Sequence, residues 1–129
     1  MTWDLPQLEK LFTDNPSWSI RHEAECICVT NADGLEAFVA VSGAQILAET
    51  VLFSAGQVRD AAALNDEILR THQLFPLTTV SLATIDDEDY YVAFGALSSQ
   101  SKGDSVMIEI ESLFDNVAGF LEAYQDHLA

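Results

Sequence analysis

His22, Cys26 and Cys28 come nearest to a metal-ligand set in this sequence, since thiolate and imidazole are the donors zinc prefers and residues of like parity share one face of a strand. A zinc site takes four protein ligands, or three and a water, and residues 23–25 carry two glutamates that break the strand between the histidine and the cysteines. The ordinary reading is cysteines packed as small hydrophobes beside an exposed histidine. The run Asp86-Asp87-Glu88-Asp89 also gathers ligand atoms, and hard cations such as Ca²⁺ want several oxygens at one point. It lacks the spaced oxygens, central glycine and distal glutamate of a calcium loop. Four consecutive acids between apolar runs read as a solvated turn, which can also dock a lysine or arginine of a partner.

Nucleophilic catalysis requires a serine or cysteine beside a histidine that a third group orients. Gly95-Ala96-Leu97-Ser98 has no second glycine to form a nucleophile elbow, and His22, His72 and His127 fall on three different elements in no motif. Neither glycine-rich pattern that cradles phosphates occurs. His72 lies on an apolar stripe, where a satisfied edge-of-core histidine is the ordinary reading. No catalytic residue, cofactor or metal ligand is therefore assigned.

The elements that must position these residues belong to one domain, residues 1–129, because no repeat, low-complexity tract or linker divides the chain. Hydrophobic residues make up 49% of it, enough for a single core. With 21 Asp and Glu against 5 Lys and Arg, the net charge is -16, a field that repels phosphate backbones and anionic lipid. Direct binding to nucleic acid and insertion into a membrane are excluded on that ground and on the lack of a long apolar run; basic partners are favoured. A DNA mimic would need carboxylates in a regular row, and none is visible. Without a signal-peptide pattern or a disulfide framework, the expected location is the cytoplasm.

Leu5, Leu8, Leu11 and Phe12 give a first amphipathic helix that Asp14-Asn15-Pro16 stops. Period-two runs follow at residues 26–30, 38–41 and 46–53, with turn signals at residues 31–34 and at Ser42-Gly43, and predict an antiparallel meander. Asp60 offers an N-cap to a helix whose stripe is Leu64, Ile68, His72 and Phe75, ended by Pro76. Residues 78–85 then pair with residues 90–97 across the turn Asp86 to Asp89, and Ser105 caps a long helix with an apolar face of Val106, Ile110, Leu113, Phe114, Val117, Leu121, Tyr124 and Leu128. The predicted class is α+β: an antiparallel sheet of five or six strands with helices on one face, in the order α, three or four β, α, β, β, α.

Along Tyr90-Tyr91-Val92-Ala93-Phe94-Gly95-Ala96-Leu97, alternation puts apolar side chains on both sides, so this strand is central or has one face covered from outside the sheet. Gly95 within it predicts a bulge or the close approach of a helix. Here the sequence resembles the YjfI-like family of uncharacterised bacterial proteins. The resemblance is carried by Leu69-Arg70, Pro76-Leu77-Thr78-Thr79-Val80, the run from Tyr90 to Ser98, and Ile108-Glu109-Ile110-Glu111-Ser112-Leu113-Phe114-Asp115-Asn116, in order along the C-terminal half. It implies a connection to envelope stress, through the gene neighbourhood of that family, and transfers no catalytic residue. The element order is also similar to that of type III secretion chaperones, small acidic proteins that dimerise and hold partner segments on their sheet. The expected function is a non-catalytic protein-binding domain of chaperone or adaptor type, homodimeric. Its partner is a protein, favoured to be basic, met by Tyr90, Tyr91, Phe94, Asp86, Asp87, Glu88 and Asp89. The alternative is a small-ligand binder or enzyme with its site between sheet and helices, using Tyr90, Tyr91, His72 or nearby acids.

Overall fold

Asp4 starts the first helix by a reciprocal cap: its carboxylate accepts from Gln7 N at 2.9 Å while the Gln7 side chain accepts from Asp4 N at 3.1 Å. The computed structural model, which describes residues 2–129, runs α1 (Leu5–Thr13), β1 (Ser19–His22), β2 (Ile27–Thr30), β3 (Glu36–Ser42), β4 (Gln45–Ser54), α2 (Ala61–Thr71), β5 (Thr79–Ile85), β6 (Glu88–Ser98) and α3 (Gly103–Tyr124). Asp60 caps α2 as its type and position predict, accepting from Ala63 N.

All six strands join one antiparallel sheet in the order β1-β2-β3-β4-β6-β5. The predicted class and element order hold, with Ser19–His22 as the fourth strand of the first half. An irregularity between Val51 and Phe53 leaves Leu52 as an extra residue in β4 and preserves the inward direction of Phe53 opposite Tyr91. On the inner face, Ile27, Val29, Val39, Ile46, Phe53 and Tyr91 form one cluster with Leu8 and Phe12 of α1, Leu64 and Ile68 of α2, and the buried stripe of α3. Every described helix therefore covers the same face. Phe120 stands at the centre of an aromatic row, 4.4 Å from Phe75 and stacked on Tyr124 at 5.8 Å between ring centroids.

Two local expectations give way to better hydrogen bonding. Ser105 does not cap α3: Val106 N already donates to Lys102 O, so the helix begins two residues before the serine, while Trp3 holds the preceding loop through the Ser99 and Ser101 carbonyls. The acidic turn is also shorter than the four residues expected. Ile85 pairs with Glu88 and Thr84 with Asp89, leaving only Asp86 and Asp87 in the loop, both at positive φ (50° and 66°). A two-residue loop of this kind matches the right-handed twist of the strands, and aspartate tolerates the left-handed region better than most residues.

Since Phe120 is fully buried in that row, Phe120→Ala should lower stability by about 3–5 kcal/mol. Urea unfolding followed by far-UV circular dichroism checks this; a loss below ~1 kcal/mol would mean the row is not packed as described.

Candidate protein-interaction site

Alternation along β6 divides its apolar residues between two environments. Tyr91, Ala93, Gly95 and Leu97 face the helices, while Tyr90, Val92, Phe94 and Ala96 line the outer face, which no described helix covers. In register beside them stand Leu47, Glu49 and Val51 of β4, then Phe38 and Ala40 of β3, and on the other flank Thr79, Ser81 and Ala83 of β5. Val92 is only 1% exposed because its own sheet neighbours enclose it, and Phe38, Leu47, Tyr90 and Phe94 remain half-buried. The outer face is thus a shallow apolar strip with Glu49 in it and Glu36 and Glu88 at its margins.

The seven residues expected to meet a partner separate accordingly. Tyr90, Phe94 and Glu88 share the outer face, with Glu88 accepting from Tyr90 Oη at 3.2 Å and from Ser54 Oγ. That hydrogen bond to a carboxylate holds the Tyr90 phenol above its ordinary pKa. Asp86 and Asp87 project at the end of the strip. Asp89 points the other way in β6 and accepts from Thr84 Oγ1 at 2.6 Å. Tyr91 turns inward, 2% exposed, and donates to Asn65 Oδ1 of α2 at 2.6 Å. A partner lying on the strip cannot reach it; Tyr91 forms instead part of a 280 Å³ apolar groove between α2 and β5 with Ile68, Leu69, Val80 and Leu82.

His22, Cys26 and Cys28 are not brought together as ligands. His22 pairs with Ile27 on the inner side and lies 3.7 Å from Glu9, whereas Cys28 pairs with Arg21 on the outer side, 3.4 Å from Glu36. Burial pushes both cysteine thiols up, which keeps them in the unreactive protonated form. His72 Nε2 accepts from Val80 N at 3.4 Å and so satisfies a backbone donor at the start of the edge strand. No cluster of three or more candidate metal donors occurs among the described residues.

The two sheet edges differ in chemistry. β1 carries Arg21 and His22, charged or polar groups that discourage strand addition, but β5 has no charged residue and exposes Leu82 by 54%. Moreover, β5 pairs with β6 only as far as Thr79 opposite Phe94, so the last residues of β6 have no strand on that flank.

One group escaped sequence reasoning. Glu109 belongs to the buried side of α3 and is 8% exposed. Its Oε1 lies 2.9 Å from the point that a side chain on Gly95 would occupy, and Leu77 O is 3.2 Å from the same point. Gly95 is therefore the close helix approach its presence in a strand predicted. Leu77 adopts a left-handed φ of 74°, and Asn116 braces its neighbours by donating to Pro76 O and Thr78 Oγ1, both at 2.8 Å. Burial pushes the Glu109 carboxyl above its ordinary pKa. The available signal was its spacing, three residues after Val106 and one before Ile110, within the apolar stripe.

These features define an α+β protein with an antiparallel sheet open on one face. The chain belongs to the bacterial family described as "Uncharacterized protein conserved in bacteria (DUF2170)", which matches residues 2–128. It is 26% identical to the uncharacterised protein YjfI of Escherichia coli K12 and of E. coli O157:H7, across 98% of each chain. The crystal structure of YbjN from E. coli, a candidate transcription regulator, has the same fold with a TM-score of 0.74 at 18% identity, covering 99% of this chain and 96% of that one. An uncharacterised protein from Methanothermobacter thermautotrophicus superposes with a TM-score of 0.64 at 9% identity, over 96% and 98% of the two chains. The segments around Pro76, Gly95 and Glu109 that carry the resemblance to YjfI meet at one place in the fold.

Because burial raises the Glu109 pKa, the folded state prefers its neutral form; the associated stability is present in acid and is lost as pH rises through the folded pKa. Glu109→Gln should accordingly be more stable than the parent at neutral pH and equal to it in acid. Thermal melts across that range check the sign, and a glutamine variant less stable at neutral pH would overturn it.

Proposed function

We propose that this chain is a non-catalytic protein-binding domain of the chaperone or adaptor kind that acts in the cytoplasm as a homodimer. One observation carries the reading: the outer sheet face offers an apolar strip, the exposed Val51 with the half-buried Tyr90, Phe94, Phe38 and Leu47, that none of the three α-helices covers. Exposed apolar surface with a polar margin is what interaction surfaces are made of. Its acidic margin and the net charge of -16 favour a basic segment as the occupant. The regulator-like description of YbjN fits a role exercised through binding, and here that binding is to protein, since the charge opposes contact with DNA.

The uncharged edge of β5 supplies the dimer contact. Two copies paired antiparallel about Leu82 would place no like charges opposite one another within the strand. A second reading, a small apolar ligand, is favoured by the groove between α2 and β5, where Asn65 and Tyr91 present the polar groups.

Affinity capture from lysate at low salt should retain one or more basic proteins, and Phe94→Asp, which charges the strip without touching the inner core, should reduce retention at least roughly tenfold. Retention unchanged by Phe94→Asp sinks the reading, as does a co-purifying metabolite that raises the melting temperature while no protein is held. For the dimer, light scattering should give twice the chain mass for the parent and one chain mass for Leu82→Lys.

A further inference from the structure

Among the residues of the outer strip, Glu49 alone is charged. It lies at the middle of β4, directly opposite Phe38 of β3 on one side and Phe94 of β6 on the other, so a carboxylate stands between two phenyl groups in one row across the sheet. The residue is exposed, and none of the ion pairs among the described residues includes it: Arg21 is taken by Glu23 and Glu36, and Arg70 by Asp66. Arg21 belongs to the same row through Cys28 and Phe38 but stands three strands away, about 14 Å at the usual strand spacing. Water therefore solvates Glu49 while the face is open. Anything that covers Phe38 and Phe94 must cover Glu49 with them, and a carboxylate removed from water without a counter-charge opposes the association. A wholly apolar surface is turned away on that ground. A second copy laid strip against strip meets the same objection, because the strip holds no cation. The occupant has to bring one. The backbone narrows the choice further. β3 is paired on both flanks, by β2 and β4, and β4 by β3 and β6, so the sheet offers no free edge at Glu49. An extended segment laid across these strands would leave its own N–H and C=O groups unpaired, whereas a helix satisfies its own.

We propose that the outer face binds an amphipathic helix of a protein partner that carries an arginine within its apolar stripe, the guanidinium pairing with Glu49 between Phe38 and Phe94. Large apolar residues three or four positions to either side of the arginine share its helix face and supply the contacts to the rest of the strip. Arginine meets this seat better than lysine: its planar group pairs with a carboxylate through two hydrogen bonds, stacks on aromatic faces and is less strongly hydrated, so less is lost when the face closes. Glu36 and Glu88 at the margins attract further basic residues along the flanks of the helix. The assignment rests on the protein-binding reading, and Glu49 is what makes that surface selective.

The test titrates the isotopically labelled full chain at low salt with acetylated, amidated alanine-glutamine peptides that carry a leucine-arginine-leucine stripe at helical spacing, following backbone amide resonances. Comparison peptides place citrulline, which keeps the shape without the charge, lysine or leucine at the arginine position, or move the arginine to the opposite helix face at equal net charge. The arginine-stripe peptide should shift Phe38, Glu49 and Phe94 saturably, and the citrulline and opposite-face peptides should bind about tenfold or more weakly, with lysine between. Glu49→Gln should bind the arginine and citrulline peptides equally while its spectrum shows the fold intact. Glu49→Leu should gain about tenfold for the all-leucine stripe, a change that general charge attraction does not produce. No saturable shifts in the parent, an arginine preference that survives Glu49→Gln, or lysine matching arginine overturns the proposal. In partner capture, dependence on Phe94 without dependence on Glu49 removes the arginine seat alone, and dependence on neither removes the reading on which it rests.

Discussion

A sheet has two faces, and all three α-helices pack their buried apolar stripes on one of them. The arrangement rests on α3, whose stripe from Val106 to Tyr124 lies over the inner faces of β3, β4 and β6 and joins them to α1 and α2 in a single cluster. The long pairing of β4 with β6 brings the meander of the first half and the hairpin of the second into one sheet. Without α3 neither half could bury enough apolar area to order its chain. With it, the inner face is filled and the outer face is left to the strands' own side chains.

That asymmetry links the fold to the functional reading. Val92 shows that the outer face is not simply hydrated, because neighbouring strands bury it almost completely without a covering layer. On this face Glu36 and Glu88 stand at the margins, Asp86 and Asp87 at the hairpin tip, and Glu49 lies within the strip between Phe38 and Phe94. Glu109 is the exception, a carboxylate set under a helix with burial opposing its charge.

Local elements were legible in the sequence because local rules fix them: Asp60 as a cap, Asp14-Asn15-Pro16 as a stop, and alternation along β6, whereas α2 ends at Thr71, before the Pro76 expected to stop it. The opposite facing of Tyr90 and Tyr91 followed from period two, but which of the two meets the helices depends on where α2 packs, and no local pattern encodes that. Glu88 and Asp89 were assigned to a turn because acids cluster there; the ladder instead extends to them, since every further pair satisfies backbone groups that a longer loop would leave to water. The Glu109 site was invisible for a different reason. It is built from Leu77, Gly95 and Glu109, three residues that are distant in sequence and share no motif, and only the fold brings the Glu109 carboxyl and the Leu77 carbonyl against the place of the side chain that Gly95 lacks. Gly95 came nearest to revealing it, as a glycine in a strand asks what occupies the place of its missing side chain.

The position of α3 in chain order also bears on how the protein is made. Translation releases α1 and the four-stranded meander first, then α2, then the second hairpin, so every strand is synthesised before α3, the longest helix on the shared inner face. Until α3 emerges only α1 and α2 are available to cover the inner face, and the net charge of -16 sets one copy of the chain against another.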